Sequence, residues 1–332
     1  MTVKVLTYGA TVQELWVTDR HAWSANVVLG FATLDDYVGL NSGGPYFGCV
    51  IGRYGSRIAR GTFELDGNAY RLEINDPPNS LHGGSEGFDA KVWEATTLPP
   101  TSDRVGLTLH HTSPDGEGGY PGTLSVDVTY TLTNEDALRI DYRATTDAAT
   151  VVNLTNHTYW NLSGEGTGTI YDHVLWVDAS RYALLDATRV PTGELALVAG
   201  TPFDFTKPTR IGARLRTDHE QIRRGRGYDQ YLVLDRDPAS REPARAATLT
   251  DPASGRRLDV ATTAPGIQCY SGNLLDGTLP GTSGQLYRQG DGIALETQRY
   301  PDAPNHESFP SAVLRPGELF ESTTVFTLSN GA

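Results

Sequence analysis

The sequence predicts an all-β fold, a sandwich or barrel of many short antiparallel strands with very little helix, formed as a single domain over residues 1–332. Three observations lead there. Glycine (36) and proline (19) make up about a sixth of the 332 residues and punctuate the chain at short intervals. Between them lie short runs in which apolar and polar residues alternate, the period of a strand with one face in a core. Helical periodicity is scarce, and a chain of many strands and turns folds as a sandwich or barrel.

The clearest run is Leu124 to Leu132. Leu124, Val126, Val128, Tyr130 and Leu132 share one face, and Ser125, Asp127, Thr129 and Thr131 share the other. Leu138 to Tyr142 repeats the pattern after a turn at Asn134, Glu135 and Asp136, so the two runs read as an antiparallel hairpin. Further strands are expected over 3–8, 25–29, 62–66, 69–73, 105–111, 173–178, 229–234, 257–262, 267–271, 292–298 and 323–328. The best helical signal spans 209–223, where Ile211, Leu215 and Ile222 fall near helical spacing. No fixed-period repeat or low-complexity linker divides the chain.

The net charge is −13, with the acidic residues spread along the chain. That disfavours nucleic acid and anionic membranes, which need clustered Lys and Arg; the group Arg223, Arg224 and Arg226 is too short to reverse it. Two cysteines, Cys49 and Cys269, give neither a disulfide framework nor a metal-finger spacing. No apolar run approaches the ~20 residues of a membrane span, and the N-terminus has no leader pattern. A cytoplasmic location with reduced thiols is expected. The sequons at Asn153, Asn156 and Asn161 would matter only on a secreted chain.

Five segments carry candidate chemistry. In Val151–Leu162, an extended backbone would place Val152, Leu154, Trp160 and Leu162 on one face, interrupted by Asn156 and Thr158. Asn153, Thr155, His157, Tyr159 and Asn161 would share the other, a mixture that suits a sugar's hydroxyls and C–H edges, though an ordinary solvated face reads the same way. In Gly292–Arg299, Glu296 and Gln298 sit in an otherwise apolar strand, unusual unless paired or working. A proline-pinned loop, 299–310, follows and could frame a site. His82, followed by two glycines, brings backbone close to whatever it touches, or simply caps a turn. Arg53 and Arg57 are possible clamps, or solvated arginines. Asp229 follows a turn at Gly227 and could equally be a turn residue.

Taken together, ordered motifs along almost the whole chain resemble the aldose 1-epimerase (galactose mutarotase) family. They include Tyr8-Gly-Ala10, Arg57-Ile-Ala59, Asn79-Ser-Leu-His-Gly-Gly84, Asn153-Leu-Thr-Asn-His157, Pro191-Thr-Gly193, Gly227-Tyr-Asp229, Pro265-Gly-Ile-Gln268, Leu295-Glu-Thr-Gln298 and Pro301-Asp-Ala-Pro-Asn-His306. The resemblance implies a large antiparallel β-sandwich with an open sugar cleft, no cofactor and no metal. It implies His157 as general acid, Glu296 as general base, and Arg57, His82, Asp229 and Gln268 as holders of sugar hydroxyls. The partner would be a small monosaccharide, bound by a monomer or homodimer. Ser56 and Gln230 depart from the usual Asn and His of similar sequences, which touches hydroxyl preference rather than the acid and base. The chain begins close to the Tyr-Gly-Ala motif, so an N-terminal strand of relatives is expected to be absent or shortened.

Exchange of anomers needs only a base at the C1 hydroxyl and an acid at the ring oxygen. Rival readings are a glycoside hydrolase pairing Glu296 with Asp229, a phosphosugar epimerase using Arg53, Arg57 and Arg60, and a sugar-binding module without turnover. A metal enzyme is disfavoured, because His110 and His111 point to opposite sides of a strand and no His, Asp and Glu have ligand spacing.

Overall fold

The computed structural model describes residues 1–237 and 240–331. Two antiparallel sheets pack face to face. The larger has nine strands in the order Thr209–Arg210, Val174–Val177, Ala244–Thr250, Arg256–Thr262, Phe320–Asn330, Ala137–Thr146, Leu124–Thr133, Arg104–Ser113 and Glu94–Thr97. The smaller has six, in the order Tyr159–Trp160, Ile293–Gln298, Gly266–Tyr270, Asp229–Val233, Arg181–Leu185 and Pro191–Leu197. This is the expected large sandwich, and the remaining short strands form small sheets of two or three strands.

Alternation sets what faces the core. Leu124, Val126, Val128 and Tyr130 from one strand, and Leu138, Ile140 and Tyr142 from the next, are buried in one cluster with Leu258, Val260 and Phe326. The facing sheet supplies Leu232, Ile267, Cys269, Ile293 and Leu295 to the same cluster. The predicted hairpin is present in full register, from Leu124 opposite Thr146 to Leu132 opposite Leu138. Burial of this apolar layer is the main force holding the two sheets together.

Two expectations change. The helix over 209–223 breaks into the short strand Thr209–Arg210, a single tight turn at Ile211–Ala213, and a helix only over Glu220–Gly225. Ile211, Leu215 and Ile222 are still buried, so their spacing recorded burial rather than continuous helix. His219 supplies the start, its Nδ1 accepting from the Gln221 backbone N–H at 3.2 Å. The second change is in Val151–Leu162, which is not one strand. It makes three two-residue strands, Thr150–Val151, Thr155–Asn156 and Tyr159–Trp160, each paired with a different segment. Neither of its faces is solvated: every residue from 151 to 162 is buried. Asn153, Asn156 and Asn161 donate to the backbone carbonyls of Gly55, Gly48 and Asp291, so they tie loops together.

Both cysteines are buried and free. No helix among the described residues is long and apolar enough to cross a membrane.

Candidate active site

With Ile293 and Leu295 committed to the core, Ala294, Glu296 and Gln298 emerge on the outer face of the six-stranded sheet. Gln268 and Tyr270 alternate in the same way against Ile267 and Cys269, and Asp229 stands opposite Tyr270. Loops from the other end of the chain cover this face and leave a cavity of about 330 Å³. Arg57, His82, His157, Asp229, Gln268 and Glu296 all line it. The structure thus brings together all six residues singled out from the sequence.

Each is held by its neighbours. His82 has a left-handed backbone, φ 55°, in a tight turn with Gly83, φ 95°. A Cβ on Gly83 would collide with the Gly52 carbonyl oxygen, so only glycine lets this turn approach so closely. The Ser56 backbone N–H donates to His82 Nδ1 at 3.1 Å. That nitrogen therefore presents a lone pair, and the proton sits on Nε2. Gln268 Nε2 donates to Asp229 Oδ1 at 2.7 Å. Arg57 Nε donates to Asp76 Oδ2 at 2.6 Å. Tyr46, His82, His157 and Tyr159 pack as neighbouring rings, with centroid distances of 4.8, 5.3 and 5.0 Å between His82 and Tyr46, His82 and His157, and His157 and Tyr159.

The central pair is His157 and Glu296. Nε2 of the imidazole lies 3.6 Å from Oε1 of the carboxyl group, and both side chains are almost wholly buried. His157 Nδ1 and Glu296 Oε2 have no hydrogen-bond partner. Burial pushes the His157 imidazole down to about 4. Burial also lifts Glu296 well above the carboxylate range, with the Asp229 charge adding to the rise and Arg57 opposing it. Burial drives His82 far down, aided by the nearby charges of His157 and Arg57. Of the two groups the carboxyl is therefore the first to take up a proton, and the imidazole beside it stays neutral until about pH 4.

A profile of the aldose 1-epimerase family matches residues 1–327. The chain belongs to the aldose 1-epimerase family. It is 47% identical over 327 residues to the galactose mutarotase of Pongo abelii, covering 98% of this chain and 91% of that one. It is 36% identical over 328 residues to the aldose 1-epimerase of Escherichia coli K12, covering 98% and 91%. The crystal structure of a galactose 1-epimerase from Lactobacillus acidophilus superposes with a TM-score of 0.86 at 32% identity, covering 99% of this chain and 91% of that one.

Other sequence candidates fall outside the cavity of this family member. Arg53 is buried and donates to Ser113 Oγ and to the carbonyls of Ser113, Pro114, Pro121 and Gly122, so it braces loops. Arg60 is exposed. Gln230 turns away to donate to Gln221 Oε1 at 3.0 Å. Ser56, the other departure from similar sequences, does line the cavity, and its Oγ accepts from Gln298 Nε2 at 3.2 Å. Arg223 and Arg224 pair with Asp218 and Glu220.

The cavity also holds residues that sequence reasoning passed over: Tyr46, Arg189 and Leu274. Tyr46 follows Gly43, Gly44 and Pro45 with φ 56°, and that glycine-proline cluster is the one local signal that could have marked it. Folding also assembles what no local spacing showed. His82, His157 and Glu296, from three segments, offer ligand atoms all within 4.8 Å of one another. The set fits a cation poorly, because the Ser56 N–H already occupies the lone pair of His82 Nδ1 and leaves Nε2 protonated.

Proposed function

We propose that the chain is an aldose 1-epimerase (mutarotase) that interconverts the α and β anomers of free hexoses such as glucose and galactose, working as one domain in the cytoplasm. The observation that supports this most is the close approach of His157 to Glu296 in a cavity that Arg57, His82, Asp229 and Gln268 also line. An acid and a base with unused hydrogen-bonding capacity are what ring opening needs.

In this reading Glu296 takes the proton of the C1 hydroxyl and His157 Nε2 delivers one to the ring oxygen. The C1–O5 bond breaks as the C1 carbonyl forms. Rotation about C1–C2 presents the other face, and reclosure returns both protons by the reverse route. The reacting state carries the proton on His157, whereas burial alone leaves it on Glu296. The two states differ by one internal transfer, and the sugar favours the reacting one: its C1 hydroxyl donates to the carboxylate and its ring oxygen accepts from the imidazolium. Arg57, His82, Asp229 and Gln268 hold the remaining hydroxyls. His82 acts as a donor through Nε2–H, and Asp229 as an acceptor.

A phosphorylated substrate finds less support, since of Arg53, Arg57 and Arg60 only Arg57 reaches the cavity. The buried free thiols agree with a reducing compartment. The test is polarimetry of freshly dissolved α-D-galactose and α-D-glucose. The protein should speed the change in rotation well beyond the buffer rate, and an unaltered rate with bound sugar would reduce it to a binding module.

A further inference from the structure

Arg189 sits on the turn between Asp186 and Val190. The Asp186 backbone N–H donates to the Val190 carbonyl at 2.8 Å, and Asp186 Oδ1 accepts from the Thr188 N–H at 2.7 Å and the Val190 N–H at 3.2 Å. These bonds hold Arg189 at φ 66°, a left-handed backbone that is costly for a residue with so large a side chain. Asn79 Nδ2 also donates to the Thr188 carbonyl at 3.1 Å, tying the turn to the segment that bears His82. The turn is thus fixed from several sides.

What it presents is a guanidinium on the wall of the cavity. Arg189 Nη2 donates to Asp76 Oδ1 at 3.0 Å, and Arg57 Nε donates to the other oxygen of the same carboxylate. One carboxylate thus serves two guanidiniums. Each guanidinium has five N–H donors, and among the described residues Nη1 and Nε of Arg189 and both Nη atoms of Arg57 have no protein acceptor. A small recess that shares residues with the cavity is lined by Arg57, Arg189, Asp229 and Gln268 but by neither His157 nor Glu296. Arg189 thus lines both the cavity and a recess that Arg57, Asp229 and Gln268 share but that the acid and base do not reach.

We propose that Arg189 is a substrate-contacting residue that sets sugar specificity: with Arg57 it donates to hydroxyls remote from the anomeric carbon while Asp229 accepts from them. The assignment rests on the sugar reading above. A vicinal diol both donates and accepts, and two donors facing one acceptor match it. A sugar lacking one of those hydroxyls leaves a guanidinium or the carboxylate unpaired.

The experiment measures Kd by calorimetry and KM and kcat by polarimetry for D-galactose, D-glucose and the 3-, 4- and 6-deoxy analogues, on wild type, Arg189→Leu and the milder Arg189→Gln. In the wild type at least one deoxy sugar should bind about tenfold more weakly than its parent. In both variants Kd and KM for the parent should rise about tenfold with kcat falling less than threefold, and that deoxy penalty should vanish. Parent Kd values within twofold of wild type would overturn the assignment. So would an equal weakening for every sugar with the deoxy penalty intact, which would make Arg189 only a support for Asp76 and Arg57. Binding is read without turnover, so absent mutarotation would sink the enzymatic reading while the Kd values still decide the role of Arg189.

Discussion

Gln268 and Glu296 stand directly opposite each other in the antiparallel register of neighbouring strands. Directly opposed residues put their side chains on one face, so the register carries the proposed base and the proposed hydroxyl-binding amide into the same cavity. Asp229, one strand further on, is then held by Gln268 rather than by a cation. The second negative charge near Glu296 is thereby kept in place, and it adds to the basicity that burial confers.

Glu296→Gln keeps this register and the volume of the side chain but removes the base. The expected outcome is a fall in kcat of roughly 10²–10⁴ with KM little changed. The melting temperature should hold or rise, because a buried carboxyl group with an unpartnered oxygen is gone. Polarimetry together with calorimetric unfolding checks both halves. Near wild-type turnover in this variant contradicts the assignment of the base.

The pH profile follows from the direction of the two shifts. His157 gains its proton only near pH 4, whereas an ordinary histidine does so near 6.5. Below about 4 the pair holds two protons and has no base, so kcat/KM should fall there. Above that limb it should rise to a plateau, since burial and the Asp229 charge keep Glu296 protonated beyond the ordinary carboxylate range and the pair retains its single proton there. An acid limb centred near the ordinary histidine value would show that burial does not depress the His157 imidazole in the working enzyme.

Much of this architecture is legible in the residues themselves. The hairpin from Leu124 to Thr146 can be read because each strand has one face in the core and one outside, so alternation is strict. The six candidate site residues stand in the ordered motifs that carry the family resemblance, and the fold brings those motifs to one cavity. The stretch from 151 to 162 reads less well. Its asparagines are buried by donating to carbonyls of distant loops, and a one-dimensional pattern does not distinguish such a residue from a solvated one. Arg53 and Arg189 make the same point in opposite directions. Arg53 lies in a conspicuous arginine-glycine motif yet braces loops, while Arg189 is a lone arginine in a turn that lines the cavity and donates to Asp76.

His82 is fixed as an Nε2–H donor by the Ser56 backbone. His82→Gln, which can place an amide N–H near that position, should keep more activity than His82→Ala, whose KM should rise about tenfold. The same fixed tautomer makes the three-residue cluster a weak ligand set, so dialysis against EDTA should leave turnover unchanged. Loss of activity on EDTA treatment, restored by a divalent cation, would contradict this account of His82.

Asp89 offers a test of stability apart from the sugar chemistry. Its side chain is 1% exposed and both carboxyl oxygens lack a hydrogen-bond partner. Burial pushes its pKa up to about 6, only partly opposed by the nearby Ser42 side chain, its own backbone N–H and the Lys91 charge. The ordinary value is 3.8, so between 3.8 and 6 the folded chain binds more protons at this site than the unfolded chain does. Stability contributed by the protonated group is therefore present at low pH and is lost as pH rises through that window. The loss amounts to roughly 3 kcal/mol for a shift of this size. Asp89→Asn cannot titrate. The difference in unfolding free energy between variant and wild type should thus grow in the variant's favour from pH 4 to pH 7 and level off above it. Other titrating groups cancel in that difference as long as their surroundings are unchanged. Urea unfolding of both proteins at pH 4, 5, 6 and 7 reads it directly, and a difference independent of pH would mean that Asp89 is ionised throughout and has found a partner in solution.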